Sequence, residues 1–478
     1  MTTLIIAGQL LLSLTILVTL HEMGHFFPSK WFKTRVDKFY LFFDFLFPIS
    51  TALPYSLLRV VRNAPEKKIT FFSDKCLINI YRTGTDETEY GLGWFPLGGY
   101  VKIAGMVDES MDTAMLAQEP QPWEFRSKKP WQRLIIMLGG VTVNFILGIV
   151  IFGFLLFAYG EKYIVNSSVK DGIYADSLGM KLGLRTGDKI VSVNEKPFVK
   201  FDDNIVLKEI VINNAQNLVV ERAGQAQTLS VPQDFSAEIS SYKNKDKDLF
   251  TPRFPFLVGD VANGKAAKAA GVQKGDRFIS LNGQPMEFAD EFRAEFQKHK
   301  NENITVGILR NESETITTQI LVSPEGTIGI AFPEMTSFFE VNRQKYSLLE
   351  AFPAGTMKGV NFINDQLKAF GQMFKGKIKA SESLGGLGSM AKMFSPTWDW
   401  EHFWRMTAIL SFVLAFMNLL PIPGLDGGYV VFLLYEMVSG RKPNDKVVER
   451  ATSIGLMLLL GLMLYANGLD IVRGFFAK

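Results

Sequence analysis

The sequence predicts a polytopic α-helical membrane protein with four transmembrane helices, a membrane-associated β region and a tandem α+β repeat outside the apolar segments. Three observations point there. Apolar runs at residues 4–27, 133–158, 403–420 and 453–475 match a hydrocarbon layer of ~30 Å at ~1.5 Å of rise per residue. Between the second and third runs, charged residues and short strand-like pieces replace apolar continuity. Inside that stretch one block recurs, since Leu178–Asn194 aligns without a gap to Ala266–Asn282.

Composition narrows the class. At 478 residues the chain is too long for one domain, and 47% hydrophobic content with 40 Phe is rich for a soluble protein and lean for a wholly embedded one. Spans plus soluble domains fit both facts. A net charge of +3 is too small to imply nucleic-acid binding, so no nucleic-acid partner is expected. The lone Cys76 excludes an intramolecular disulfide and a cysteine-based zinc site. No basic residue precedes the first apolar run and no small-residue cleavage site follows Leu20, so residues 1–20 are expected to stay as a membrane helix.

The elements follow in order. Residues 1–28 form the first span, and Lys30, Lys33, Arg35 and Lys38 after it place its C-terminal end at the cytoplasm. Residues 29–132 form a cytoplasmic and membrane-associated region whose apolar pieces, such as Phe39 to Ile49, are too short to span and read as re-entrant or interfacial. In it, Tyr90, Leu92 and Trp94 alternate along Tyr90-Gly91-Leu92-Gly93-Trp94, which suggests an extended strand; an ordinary surface hairpin is the alternative. Residues 133–160 form the second span, running outward after Arg126, Lys128, Lys129 and Arg133. Gly139, Gly140, Gly148 and Gly153 allow close helix contacts there, and Asn144 needs a partner.

Residues 161–253 and 254–342 carry the two repeats, with cores at about 165–233 and 254–330 and a polar linker or loop at Glu238–Asp248. Each copy has a short helix, a Gly-Asp turn, a strand, and an Asn at a tight turn followed by Pro197 or Pro285. Residues 343–402 form an amphipathic helical region. Ile363, Leu367, Phe370 and Phe374 share a face there, and either a membrane-surface helix or a soluble core helix would account for it. Residues 403–420 form the third span. Residues 421–450 hold Pro421-Ile422-Pro423-Gly424-Leu425-Asp426-Gly427-Gly428 and a cytoplasmic loop, and residues 451–478 form the fourth span.

The chemistry centres on His21-Glu22-Met23-Gly24-His25. Positions i and i+4 share one helix face, so both imidazoles can reach one metal ion, with Glu22 beside it as a base toward bound water. Only four histidines exist in the chain, and two fall in this frame, which argues against a chance pairing. A catalytic zinc takes three protein ligands and keeps one position open. Asp426 lies on irregular backbone in an apolar context, where a free carboxylate is expensive, and the topology puts it on the same membrane side as His25. His21, His25 and Asp426 make the expected set; Glu436 and Asp470 are rivals that lack the Gly-Pro-rich break.

With these residues in view, two resemblances can be stated. The repeats resemble PDZ domains, whose Ala-Gly-Leu-x-x-Gly-Asp-x-Ile pattern both copies match. This implies tandem α+β PDZ domains that bind extended peptides or C-termini by strand addition. The whole chain resembles the site-2 protease family of intramembrane zinc metalloproteases, in particular its RseP-type branch. The resemblance rests on His21–His25, on Pro96-Leu97-Gly98-Gly99-Tyr100-Val101-Lys102 and on Asn418-Leu419-Leu420 running into Pro421–Gly428.

That resemblance implies a zinc cofactor and a multi-pass protein of the bacterial inner membrane with periplasmic PDZ domains, acting as a monomer. It implies hydrolysis in or near the transmembrane segment of a single-span membrane protein already trimmed outside the membrane, such as an anti-sigma factor or a signal-peptide remnant. Asn418 would handle substrate or hold the broken helix. An edge strand at about Tyr90 to Phe95 would pair with unwound substrate backbone. The PDZ pair would filter substrates, by carboxylate capture near Gly326–Gly329 or by size. The segment between Phe39 and Glu89 departs from the family pattern, which has a short loop there.

Overall fold

A computed structural model describes residues 2–43, 56–73, 76–85, 87–106, 119–244, 247–379, 381 and 384–476. Contacts divide the chain into two compact units. One comprises Met1–Gly160, Lys345–Asn364 and Leu384–Lys478; the other comprises Glu161–Gln344 and Asp365–Ser383.

The first unit is built on helices α1 (Thr2–Trp31), α2 (Pro130–Tyr159), α3 (Leu348–Phe374, whose second half belongs to the other unit), α4 (Trp400–Leu419), α5 (Asp426–Ser439) and α6 (Asp445–Phe476). Among the described residues, four helical segments are long and apolar enough to cross a membrane: Thr2–Trp31, Pro130–Tyr159, Trp400–Leu419 and Lys446–Gly474. Pro130 opens α2 at a position whose N–H would be unpaired anyway. Asp399 caps α4 by accepting from Glu401 N and His402 N. Against α2, Phe412 of α4 stacks on Phe152 at 5.8 Å with planes 7° apart, and Gly148 lies under its ring.

Two helices depart from expectation. Residues after Pro423 do not run on as a loop, because Asp426–Ser439 forms a helix of 14 residues. Its Tyr-Val-Val-Phe-Leu-Leu run is apolar but too short to span, and Gly440 ends it in the left-handed conformation at φ 67°. On α3, the buried stripe within the first unit is Ala351, Gly355 and Gly359, small residues that let the helix approach Ile149 and Gly153 of α2 and Phe412 of α4. Leu367 and Phe374, on the expected apolar face, are exposed.

Between α1 and α2 the chain forms a six-stranded sheet from β1 (Val36–Phe43), β2 (Ser56–Val61), β3 (Lys68–Ser73), β4 (Cys76–Tyr81), β5 (Glu89–Gly93) and β6 (Phe95–Ile103), in spatial order β3-β4-β2-β5-β1-β6. The expected expansion after Phe39 therefore builds strands, and Phe39–Phe43 lies in β1; residues 44–49 of the expected re-entrant piece lie outside the described residues. Pairing register puts Ile69, Ile80, Val60, Tyr90, Phe39 and Val101 in one row across the sheet. Phe71, Ile78, Leu58, Leu92, Leu41 and Gly99 form the next row on the same face. Paired residues share a face and neighbours along a strand alternate, so that face is apolar from edge to edge. The opposite face holds Lys68, Thr70, Asn79, Arg59, Glu89 and Lys38. There Tyr40 donates to Glu89 at 2.6 Å; burial, followed by that carboxylate, pushes the phenol well above its ordinary range.

The second unit repeats one design. Strands Lys196–Pro197, Lys189–Val193, Asn217–Arg222 and Gln225–Ser230 pair in that order, and Gln284–Pro285, Arg277–Leu281, Asn303–Arg310 and Glu314–Leu321 pair likewise. Helices Asp203–Val211 and Ala289–Lys298 accompany them. The first core includes Ile173, Leu178, Ile190 and Phe250, and the second is an aromatic cluster of Phe256, Phe278, Phe292 and Phe296. The segment expected as a linker lies within the first copy. Phe235–Ile239 is helical, and Phe250–Pro252 returns to pair with Ile173–Ala175. The chain enters this unit through Glu161–Val165 and leaves through Val341–Gln344, which pair antiparallel.

Candidate metal centre

On α1 the helical repeat turns His21 and His25 to the same side, where each is 7% exposed. The partner surface is α2. A Cβ on Gly24 would meet Gly139 O at 2.5 Å, and one on Gly140 would meet His25 Nε2 at 2.5 Å and His21 Cε1 at 2.6 Å. The backbones thus touch at Gly24 and Gly139, and Gly140 leaves the room the two imidazoles occupy. Any larger residue at 140 would displace both rings.

Asp426 arrives from another direction. Pro421 and Pro423 cannot continue α4, the chain turns, and Asp426 becomes the first residue of α5. Gly427 and Gly428 press against the carbonyls of Leu419, Leu420 and Ile422 and hold that turn compact. Farther along α5, Glu436 accepts from Arg133 Nη2 of α2 at 2.5 Å, both side chains being nearly buried.

Three atoms converge. Asp426 Oδ2 lies 3.3 Å from His21 Nε2 and 3.3 Å from His25 Nε2, and the two nitrogens are 3.3 Å apart. An equilateral triangle of that edge is one face of a tetrahedron whose centre lies about 2.0 Å from each corner, the bond length zinc takes to nitrogen and oxygen. Asp426 Oδ2 is buried and makes no hydrogen bond. A buried carboxylate oxygen without a donor is costly, and a cation at the centre of the triangle removes that cost. Among the described residues this is the group of His, Cys, Asp and Glu side chains close enough to share an ion.

The outer nitrogens orient the rings. His25 Nδ1 lies 2.8 Å from Ile136 O, so Nδ1–H donates there and Nε2 is left with its lone pair toward Asp426. His21 Nδ1 lies 3.1 Å from the Asn144 amide. An Nδ1–H needs an acceptor, while Asn144 Oδ1 is buried without a partner. Turning that amide by half a rotation places its oxygen on His21 and gives both histidines the same tautomer. Asn144 thus has the partner its sequence position demanded.

A cavity of about 170 Å³ opens on the triangle and is lined by His21, Glu22, His25, Asp426, Asn418 and Gly99, with others. Asn418 Nδ2 is 3.3 Å from His21 Nε2. Tyr90-Gly91-Leu92-Gly93 lies in β5, paired on both sides by β1 and β2, so it is not an edge strand; Trp94 follows directly. The edge strand is β6, and its Gly98 and Gly99 line the cavity. The signal for them was present in Pro96–Lys102, whose paired glycines let β6 approach within contact of Val18. Glu436 is engaged with Arg133, and Asp470 accepts from Gly386 N, Ser389 N and Ser389 Oγ at 2.6–3.0 Å, capping the helix Leu387–Ala391.

Comparison with known proteins agrees with this chemistry. The model of peptidase family M50 matches residues 74–462, most of the chain. The chain belongs to that family. Relatives match along nearly their full length. The regulator of sigma-E protease RseP of Escherichia coli is 26% identical, covering 96% of this chain and 97% of its own. Protease RseP of Yersinia pestis is 25% identical over 95% and 96%. The "Putative zinc metalloprotease" of Vibrio cholerae is 26% identical over 97% of both. As an M50 peptidase the protein is a zinc metalloprotease, and its apolar helices make it a membrane protein.

Proposed function

We propose that this protein is an intramembrane endopeptidase in which His21, His25 and Asp426 hold the zinc ion and Glu22 is the catalytic base. The observation that carries this reading is the 3.3 Å triangle, two of whose corners stand on α1, a helix long and apolar enough to cross a bilayer. The ion, when bound, supplies Lewis acidity toward a water and toward the scissile carbonyl. The remaining work falls to the chain. Glu22, on the cavity wall, takes the proton of the attacking water and returns it to the leaving amine. Ile136 O and Asn144 keep each ring's Nε2 aimed inward.

Substrate backbone must leave its own helix to be cut, and its freed N–H and C=O groups then need partners. The edge of β6 beside the cavity can add a substrate strand, and Asn418 can bond the same backbone. We extend the reading to single-span membrane proteins, such as anti-sigma factors or signal-peptide remnants, trimmed beforehand outside the inner membrane. Relatives named as regulators of sigma E support that extension, and with it a role in envelope-stress signalling. In this reading the two repeats are PDZ domains on the periplasmic side that filter substrates for a monomeric enzyme. Their shared strand order and accompanying helices support it.

Cleavage of a membrane reporter by the purified protein in lipid tests the proposal. It should stop with a chelator, resume with zinc, and be absent in Glu22→Gln. Cleavage that survives chelation would remove the metal from the mechanism.

A further inference from the structure

The two apolar rows of the sheet end in unlike surroundings. At the inner end, Phe26 of α1 packs on Phe39 at 5.4 Å and on Tyr90 at 6.1 Å, and Gly99 sits against Val18. At the outer end, Ile69 is 60% exposed and Phe71 is 65% exposed. Both lie on β3, the opposite edge strand of the sheet. Along the rows between, Leu58, Val60, Ile78 and Ile80 are half-buried.

A sheet face turned to water alternates polar residues outward. Here Ile69 and Phe71 make one face apolar while Lys68 and Thr70 take the other, and the alternation ends at Phe72, which is 79% exposed at φ 50°. The apolar face is continuous with α1, a helix fit to span the bilayer, whose own Phe27 is 62% exposed. Arg62, just past the end of β2, and Lys67 and Lys68, at the start of β3, stand at one end of the sheet, where Glu66 pairs with Lys68. A strand rises ~3.3 Å per residue, so Lys68 and Phe71 are about 10 Å apart, the depth from head group to acyl chain at which interfacial elements sit.

We propose that the outer half of this sheet is a lipid-binding surface. Ile69 and Phe71 insert among acyl chains of the leaflet that surrounds α1, and the basic cluster at 62–68 meets anionic head groups. The surface is independent of the peptidase chemistry and would anchor the strands that lead to the cavity edge.

Single cysteines test it on the full chain in nanodiscs of phosphatidylethanolamine and phosphatidylglycerol. Lys68→Cys, Ile69→Cys, Thr70→Cys and Phe71→Cys are made on a Cys76→Ala background and labelled with an environment-sensitive fluorophore. Acyl-chain doxyl lipid should quench positions 69 and 71 at least twofold more than 68 and 70, and aqueous iodide should show the reverse. Equal iodide quenching at all four, or lipid quenching without alternation, overturns the proposal. So does protection of 69 and 71 that arises only after a transmembrane substrate peptide is added, which would make the face a substrate platform. The wild-type chain gives a second measurement free of substitutions. A lipid carrying a diazirine on its acyl chain should crosslink to the tryptic peptide that begins at Ile69. Crosslinks on α1 and α2 with none on that peptide overturn the proposal as well.

Discussion

Asp188 and Asp276 of the repeat and Asp426 of the helical unit are carboxylates handled in opposite ways. In the repeat, the Asp188 and Asp276 side chains are 1% exposed, and their oxygens are engaged. Arg222 bonds both oxygens of Asp188 at 2.7 and 2.8 Å, and Arg310 bonds both of Asp276 at 2.8 Å. Arg185 N and Gln273 N complete the two sets at 2.8 Å. Each arginine also donates to the carbonyl of Gly183 or Gly271, so the repeat extends to its anchoring bonds. In the helical unit, Asp426 Oδ2 has no donor and faces two imidazole nitrogens. A carboxylate closed by the protein's own donors contributes to folding. One left open in a buried place is completed by something the chain does not encode.

The comparison can be broken at the open site first. Glu22→Gln should lower turnover by roughly 10²–10⁴-fold while zinc stays bound, because the change removes a base and no ligand. Turnover near the wild-type level would take Glu22 out of the mechanism. Asp426→Ala should lose activity and zinc together, read by metal analysis of the purified variant. Full zinc occupancy there would return the third ligand to Glu436 or Asp470, although both carboxylates have partners of their own.

The closed site should respond differently. Arg222→Met strands the Asp188 carboxylate in the first copy and should lower its melting temperature by roughly 5–15 °C, with zinc content unchanged. Loss of zinc in that variant would show that the two carboxylates are not independent. Asn144→Ala sharpens the contrast, since it removes an orienting group and no ligand. Zinc affinity should fall about 10–100-fold, and Asn144→Asp, which keeps an acceptor for His21 Nδ1–H, should restore most of it. Equal affinity in all three proteins would return Asn144 to helix packing.

Deleting residues 165–330 should leave zinc content and cutting of a pre-trimmed substrate nearly unchanged, while a substrate with its bulky outer domain intact becomes cleavable. A deletion that cuts neither substrate yet binds zinc would make the repeat part of the active site. One that still cuts only the short form would move the filter elsewhere, for instance to α3.

What the residues determine alone is local. An i, i+4 histidine pair needs only the 3.6-residue repeat, and a span needs only apolar length, so His21, His25 and the four spans were legible before any tertiary contact. So was the break at Pro421–Gly428, because proline lacks its N–H wherever it sits. Strand order was not legible. Tyr90–Gly93 and Phe95–Ile103 are adjacent and both extended, yet only the pairing of β5 with β2, from residues about 30 positions earlier, takes the edge role from β5 and gives it to β6. The same non-local pairing assembles the apolar rows, whose members come from six strands and show no pattern longer than alternation within any one of them. Tertiary contact also distinguishes the three carboxylates. Asp426, Glu436 and Asp470 are alike as residues, and what separates them is the presence of Arg133 beside one, of the Gly386 and Ser389 amides around another, and of two imidazoles before the third.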